Sequence, residues 1–151
     1  MARSAALREM HRVLAPGGCA MVAVFDQLSQ NPWYQAMAEV LEEVVGSEVA
    51  GASRAPFALG DAAALKALCD EPGVPANISS REGTARYIEF RDMVLADVQG
   101  WFPLTGTEPS DSQINRIVEQ LASRLEAFQL EDENLSFPMP AHLIVIRKPA
   151  G

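Results

Sequence analysis

Leu7-Arg-Glu-Met-His-Arg-Val-Leu-Ala-Pro-Gly-Gly18 and the Cys19-Ala-Met-Val-Ala-Val-Phe25 that follows it decide how this chain is read. Leu7, Met10 and Leu14 recur at helical spacing with Val13 beside them, while Arg8, Glu9 and Arg12 supply a polar face, so a helix is predicted over residues 5–14. Pro16-Gly17-Gly18 stops it, because proline cannot continue a helix and glycine permits the left-handed turn. The next seven residues are apolar without alternation, as in strands covered on both faces of a parallel α/β sheet.

The same reading extends along the chain. Asn31-Pro32 starts a helix with Tyr34, Met37, Leu41 and Val44 on one stripe, and the small, polar residues 46–56 read as a loop. Asp61 caps a short helix carrying Leu65 and Leu68 that stops near Pro72-Gly73. Residues 74–80 and 84–88 are strand-like, parted by Arg81-Glu82-Gly83. A helix from Glu89 to about Gly100 aligns Phe90, Val94, Val98 and Trp101. Asp111 can cap the clearest amphipathic helix, in which Ile114, Ile117, Val118, Leu121, Leu125 and Phe128 keep three-four spacing. Leu143-Ile-Val-Ile146 closes the series as a strand, so a layered α/β domain is expected.

The totals agree with one soluble domain over residues 1–151: 48% hydrophobic and 21% charged residues suit a packed core and exclude a disordered chain. A net charge of −8 argues against a nucleic-acid partner, since phosphate binding needs clustered Lys and Arg. No apolar run is long enough to span a bilayer and the first residues lack a signal-peptide core, so no membrane association and a cytoplasmic location are expected. Cys19 and Cys69 both sit in apolar stretches outside any CxxC pair, and are read as free buried thiols.

The helix, its Pro-Gly-Gly turn and the strand after it resemble the unit before the fifth strand of class I S-adenosylmethionine-dependent methyltransferases, of the type 11 or UbiE-like kind. Phe57-Ala-Leu-Gly-Asp61 is similar to that family's approach to its sixth strand. Glu82-Gly-Thr-Ala-Arg-Tyr87 and the terminal Phe137-Pro-Met-Pro-Ala-His-Leu-Ile-Val-Ile-Arg-Lys-Pro149 are similar to its last two strands. The resemblance implies the C-terminal half of a doubly wound, Rossmann-like α/β fold. About three strands are expected, with helices on both faces and an antiparallel final strand between two parallel ones. It also implies that the glycine-rich half, which holds the methyl donor in the family, is lacking. No G-x-G-x-x-G occurs, and Gly17-Gly18 precede a strand rather than follow one. No cofactor is therefore expected to bind this chain alone.

Methyl transfer asks the protein mainly to place an acceptor, sometimes with a base nearby. By the resemblance, the candidate acceptor-binding residues are Phe25 and Asp26 after the strand, Trp33 and Tyr34 on the next helix, and Tyr87 and Trp101 beyond. Core packing competes with ligand contact for Tyr34 and Trp101, and Asp26 can equally brace a turn. His11 reads as a solvated helix residue and His142 as a hydrogen-bonded structural histidine. Glu39, Glu42 and Glu43 read as a solvated face. No cluster has metal-ligand spacing, and no residue is assigned a catalytic role.

The family's fifth strand pairs with a fourth that this chain does not contain, so residues 19–25 are expected to form an open edge. Proteins rarely leave one uncovered, and a homodimer or the lacking N-terminal half is expected to cover it. Three functions follow: a fragment or truncated member of a small-molecule methyltransferase, inactive alone; a non-catalytic binding or assembly module; or one chain of a split methyltransferase.

Overall fold

The computed structural model describes residues 2–70, 73–128 and 135–150. In chain order these form α1 (Ala2–Val13), β1 (Cys19–Phe25), α2 (Pro32–Val44), α3 (Ser47–Arg54), α4 (Ala62–Asp70), β2 (Ala76–Arg81), β3 (Thr84–Tyr87), α5 (Phe90–Trp101), α6 (Asp111–Arg124), β4 (Leu135–Pro138) and β5 (Ala141–Arg147). They divide into two compact units. One is drawn from residues up to Gln27, Phe57–Glu82 and Pro140 onward; the other is Leu28–Pro56 with Gly83–Met139.

The first unit is a three-stranded sheet in the order β1-β5-β2, with β5 antiparallel to both neighbours. β1 and β2 thus run parallel to one another with the latest strand between them, as the resemblance implied. The flanking strand is Ala76–Arg81, however, and not the Glu82–Tyr87 segment. Ile144 and Ile146 on β5 pack with Leu7 of α1 and with Leu65 and Cys69 of α4. Both helices therefore cover one face, and among the described residues of this unit no helix covers the other, contrary to the expectation of helices on both faces. Asp61 caps α4 as expected, its Oδ1 accepting the Ala64 N–H at 2.7 Å. Pro72, expected to stop that helix, lies outside the described residues.

Hydrogen-bond parity explains a further departure. Lys148 N–H donates to Gly18 O, and Asp26 N–H to Pro140 O. An antiparallel ladder alternates, so Ala20, Val22 and Val24 bond to β5 while Cys19, Met21, Ala23 and Phe25 aim their backbone groups at the outer edge. The side chains of that second set share the sheet face opposite α1 and α4. Cys19 and Ala23 are exposed, and Met21 is 67% exposed. The apolar run is thus covered on one face within its unit, and Cys19 is an exposed free thiol instead of a buried one. Cys69 is buried as expected, and burial together with the Asp70 charge raises its pKa.

The second unit surrounds Trp33, Met37, Leu41, Val94, Phe102, Ile117 and Leu121, all essentially inaccessible. Its strands β3 and β4 pair antiparallel as a separate two-stranded sheet, which the sequence reading did not contain. Residues 46–56, read as a loop, instead hold α3. The alanines there are good helix formers, and Val49 and Ala50 bury against α2. Ser53 Oγ–H donates back to Ala50 O at 2.8 Å. Ser110, not Asp111, caps α6: its Oγ accepts the Gln113 N–H at 3.3 Å, and Gln113 Oε1 accepts the Ser110 N–H at 3.0 Å. That helix ends at Arg124, and a turn of 3-10 helix over Glu126–Phe128 replaces its expected last turn. Glu39 and Glu43 are more than a solvated face, because both pair with Arg124 of α6, at 3.3 and 2.7 Å.

Gly60 is held by close approach. A Cβ there would lie 2.3 Å from Gln27 N and 2.5 Å from Asp26 C. Gly60→Ala must push two backbone segments apart, and a loss of about 1–3 kcal/mol is expected. Urea denaturation measures it; a change below about 0.5 kcal/mol would show that the loop moves freely.

Candidate functional site

Helix α5 turns an apolar stripe of Phe90, Val94, Val98 and Trp101 inward, and Asp97 sits on the same side, three residues after Val94 and four before Trp101. Its carboxylate is half-buried. Oδ2 accepts the Trp33 indole N–H at 2.8 Å. Burial raises the Asp97 pKa and the Trp33 hydrogen bond opposes that rise. Trp33 is fully buried, stacked on Phe137 (centroids 5.6 Å apart, planes at 14°) and edge-on to Phe90 (5.9 Å, 82°). Tyr87 stacks on Phe137 at 5.9 Å. The phenols of Tyr34 and Tyr87 both have raised pKa values, first from burial and then from the negative charge of Asp97.

Three of the sequence candidates, Trp33, Tyr34 and Tyr87, thus converge on one carboxylate that sequence reasoning missed. A signal was available: an acid inside the apolar stripe of a helix is rare unless it is partnered. Trp101 does not join them. It lies one turn beyond Asp97, and its buried Nε1 has no hydrogen-bond partner among the described residues. Beside the cluster is an open cleft of about 570 Å³, lined by Arg86, Tyr87, Glu89, Asp92, Met93 and Ala96.

Asp97 makes stability depend on pH. Its folded pKa exceeds the ordinary 3.8, so the folded state binds its proton more tightly than the unfolded state does. Stability then falls as pH rises from about 3.8 through the folded value, and is flat above it. Asp97→Asn keeps an oxygen for the Trp33 N–H and removes the charge. The variant is expected to be more stable than the wild type at pH 7, with that advantage shrinking in acid. Urea denaturation at both pH values checks this, and a variant less stable at pH 7 would contradict it.

Phe25 and Asp26 lie in the first unit. Phe25 stacks on Phe57 at 5.2 Å. Asp26 Oδ1 accepts the Gln27 N–H at 2.7 Å and lies 3.4 Å from His142 Nε2. His142 is buried and satisfied, as expected for a structural histidine: Nε2 is 2.9 Å from Gly60 O and Nδ1 is 2.9 Å from Ser80 Oγ. His11 is half-buried, not solvated.

Among the described residues no group of three His, Cys, Asp or Glu could hold a metal ion, and no helix is long and apolar enough to cross a membrane.

No protein-family model matches this chain, and no curated protein matches it. Among solved structures it is similar to the crystal structure of a protein from Bacillus halodurans C-125 proposed to be a methyltransferase. The two are 14% identical, the match covers 97% of this chain and 63% of the other, and the TM-score is 0.48. The chain therefore spans less than two thirds of that protein's length.

Proposed function

We propose that this chain is the acceptor-side half of a small-molecule methyltransferase, inactive alone, whose methyl donor is held by residues outside these 151. The observation that carries the reading is the strand order β1-β5-β2, with the final strand antiparallel between two parallel ones. That order is what the resemblance of residues 7–25 and 137–149 implies, and it rests on pairings independent of that resemblance.

In this reading the acceptor meets Asp97, Tyr34 and Tyr87. A carboxylate whose burial raises its pKa is suited to hold an acceptor O–H or N–H and to take its proton. The rings of Tyr87 and Phe137 favour an acceptor that is itself apolar or aromatic. The outer edge of β1, toward which Cys19, Met21 and Ala23 turn their N–H and C=O groups, favours a partner that adds a strand. That partner is the donor-binding half in this reading. A second copy of the chain, giving a homodimer, is the alternative that the exposed Met21 favours.

Calorimetric titration of S-adenosylmethionine into the 151-residue chain is expected to give no heat beyond dilution. Saturable binding with a micromolar Kd would refute the reading. Co-expression with a donor-binding half is expected to restore binding.

A further inference from the structure

Ser80 and His142 face each other directly in the register of β2 and β5, so their side chains lie on the same side of the sheet. Ser80 Oγ is 2.9 Å from His142 Nδ1. The other ring nitrogen, Nε2, is 2.9 Å from the carbonyl of Gly60, which can only accept. Nε2 therefore carries the proton, and in neutral His142 the lone pair of Nδ1 faces the Ser80 hydroxyl. Asp26 Oδ1, 3.4 Å from Nε2, places a carboxylate where a positive charge on the ring would develop. Nucleophile, base and orienting acceptors are thus in line, the arrangement that activates a serine. The nucleophile sits on Nδ1 and not on the more familiar Nε2, which leaves the proton transfer itself unchanged.

The serine is accessible while its base is not. Ser80 is exposed and His142 is 2% exposed. Ser80 opens on a pocket of about 400 Å³ between α4 and β2, lined also by Lys66, Cys69, Asp70, Asn77 and Ile78. β2 is an edge strand. Arg147 N–H donates to Pro75 O, so the ladder alternation turns the N–H groups of Ile78 and Ser80 outward, toward the free edge. The Ser80 N–H is then placed near the oxyanion that the ester carbonyl oxygen becomes once its carbon is bonded to Oγ.

From this geometry we propose a second activity, independent of methyl transfer: hydrolysis of short acyl esters through an acyl-Ser80 intermediate. Ser80 Oγ attacks the ester carbonyl carbon and forms a new C–O bond as its proton passes to His142 Nδ1. The ester C–O bond breaks, and the departing alcohol oxygen takes that proton. Water then attacks the acyl-Ser80 carbon, giving its proton to Nδ1, and the free acid leaves as Ser80 Oγ is reprotonated. Nothing is oxidised or reduced.

Two measurements test this on the purified chain. Diisopropyl fluorophosphate treatment followed by peptide mass spectrometry is expected to find one phosphoryl adduct, on Ser80 and not on Ser79. Hydrolysis of 4-nitrophenyl acetate is expected to fall at least about 100-fold in Ser80→Ala, whose circular dichroism should match the wild type because Ser80 lies on an exposed edge strand. An unlabelled Ser80 in the folded chain, or ester turnover that persists in Ser80→Ala, overturns the proposal.

Discussion

Ala23→Pro is expected to yield a folded chain in which the proposed pairing at the edge of β1 is weakened. Ala23 is on the edge strand β1, and its N–H points away from β5, so proline there removes no hydrogen bond of the sheet. It does remove a donor from any strand added at that edge, and its ring obstructs the approach. In a symmetric dimer the donor is lost from both copies. At about 1 kcal/mol each, that is about 2 kcal/mol, or roughly 30-fold weaker association. Val22→Pro is the control, since the Val22 N–H bonds inward to Ile144 of β5 and its loss should unfold the sheet. Light scattering and circular dichroism separate the two outcomes. A wild-type chain already monomeric in the absence of other proteins would rule out the homodimer. Undiminished association in Ala23→Pro would rule out the strand edge as the interface.

Trp33→Ala is expected to cost about 3–5 kcal/mol, a large share of the stability of a domain this size. Trp33 is completely enclosed, and two aromatic contacts and one hydrogen bond depend on it. Trp33→Phe separates these contributions. Phenylalanine preserves most of the packing but leaves Asp97 Oδ2 without its donor. The Trp33 N–H favours the charged carboxylate, so its removal should matter most where Asp97 is ionised. Trp33→Phe should therefore be more destabilising at pH 7 than in acid, whereas most of the Trp33→Ala deficit should persist at both. An equal Trp33→Phe deficit at the two pH values would mean that the hydrogen bond contributes nothing.

The elements read best from sequence were those with one period and firm punctuation. In α1 and β1 the three-four spacing, the Pro16-Gly17-Gly18 stop and the unbroken run to Phe25 left little choice, and Asn31-Pro32 located the start of α2. Spacing could not reveal which β1 residues are covered, because an unbroken apolar run hides the alternation that Met21 and Cys19 expose. Helix α3 was missed because its glycine and serine residues read as loop, and the burial of Val49 and Ala50 against α2 outweighs the low helix propensity of that glycine and those serines. The pairing of β3 with β4 joins residues about fifty positions apart, which no local pattern records. The candidate site was half legible. Trp33, Tyr34 and Tyr87 were named as candidates from the resemblance, whereas Phe90, Phe137 and the Asp97 carboxylate, concealed inside an apolar helix face, were not.

The place of β5 has a consequence for how this unit is made. Among the described residues β1 and β2 each pair with β5 and not with each other, so neither has that strand partner until residues 141–147 have been synthesised. Closing the sheet then joins Cys19 to Arg147 across almost the whole chain. Such distant pairings lose the most loop entropy before any contact offsets it, and they fold slowly. During that interval the apolar strand Cys19–Phe25 has both backbone edges unpaired. Its exposure to aggregation, and its need for a chaperone, should therefore be greatest while the chain is still on the ribosome.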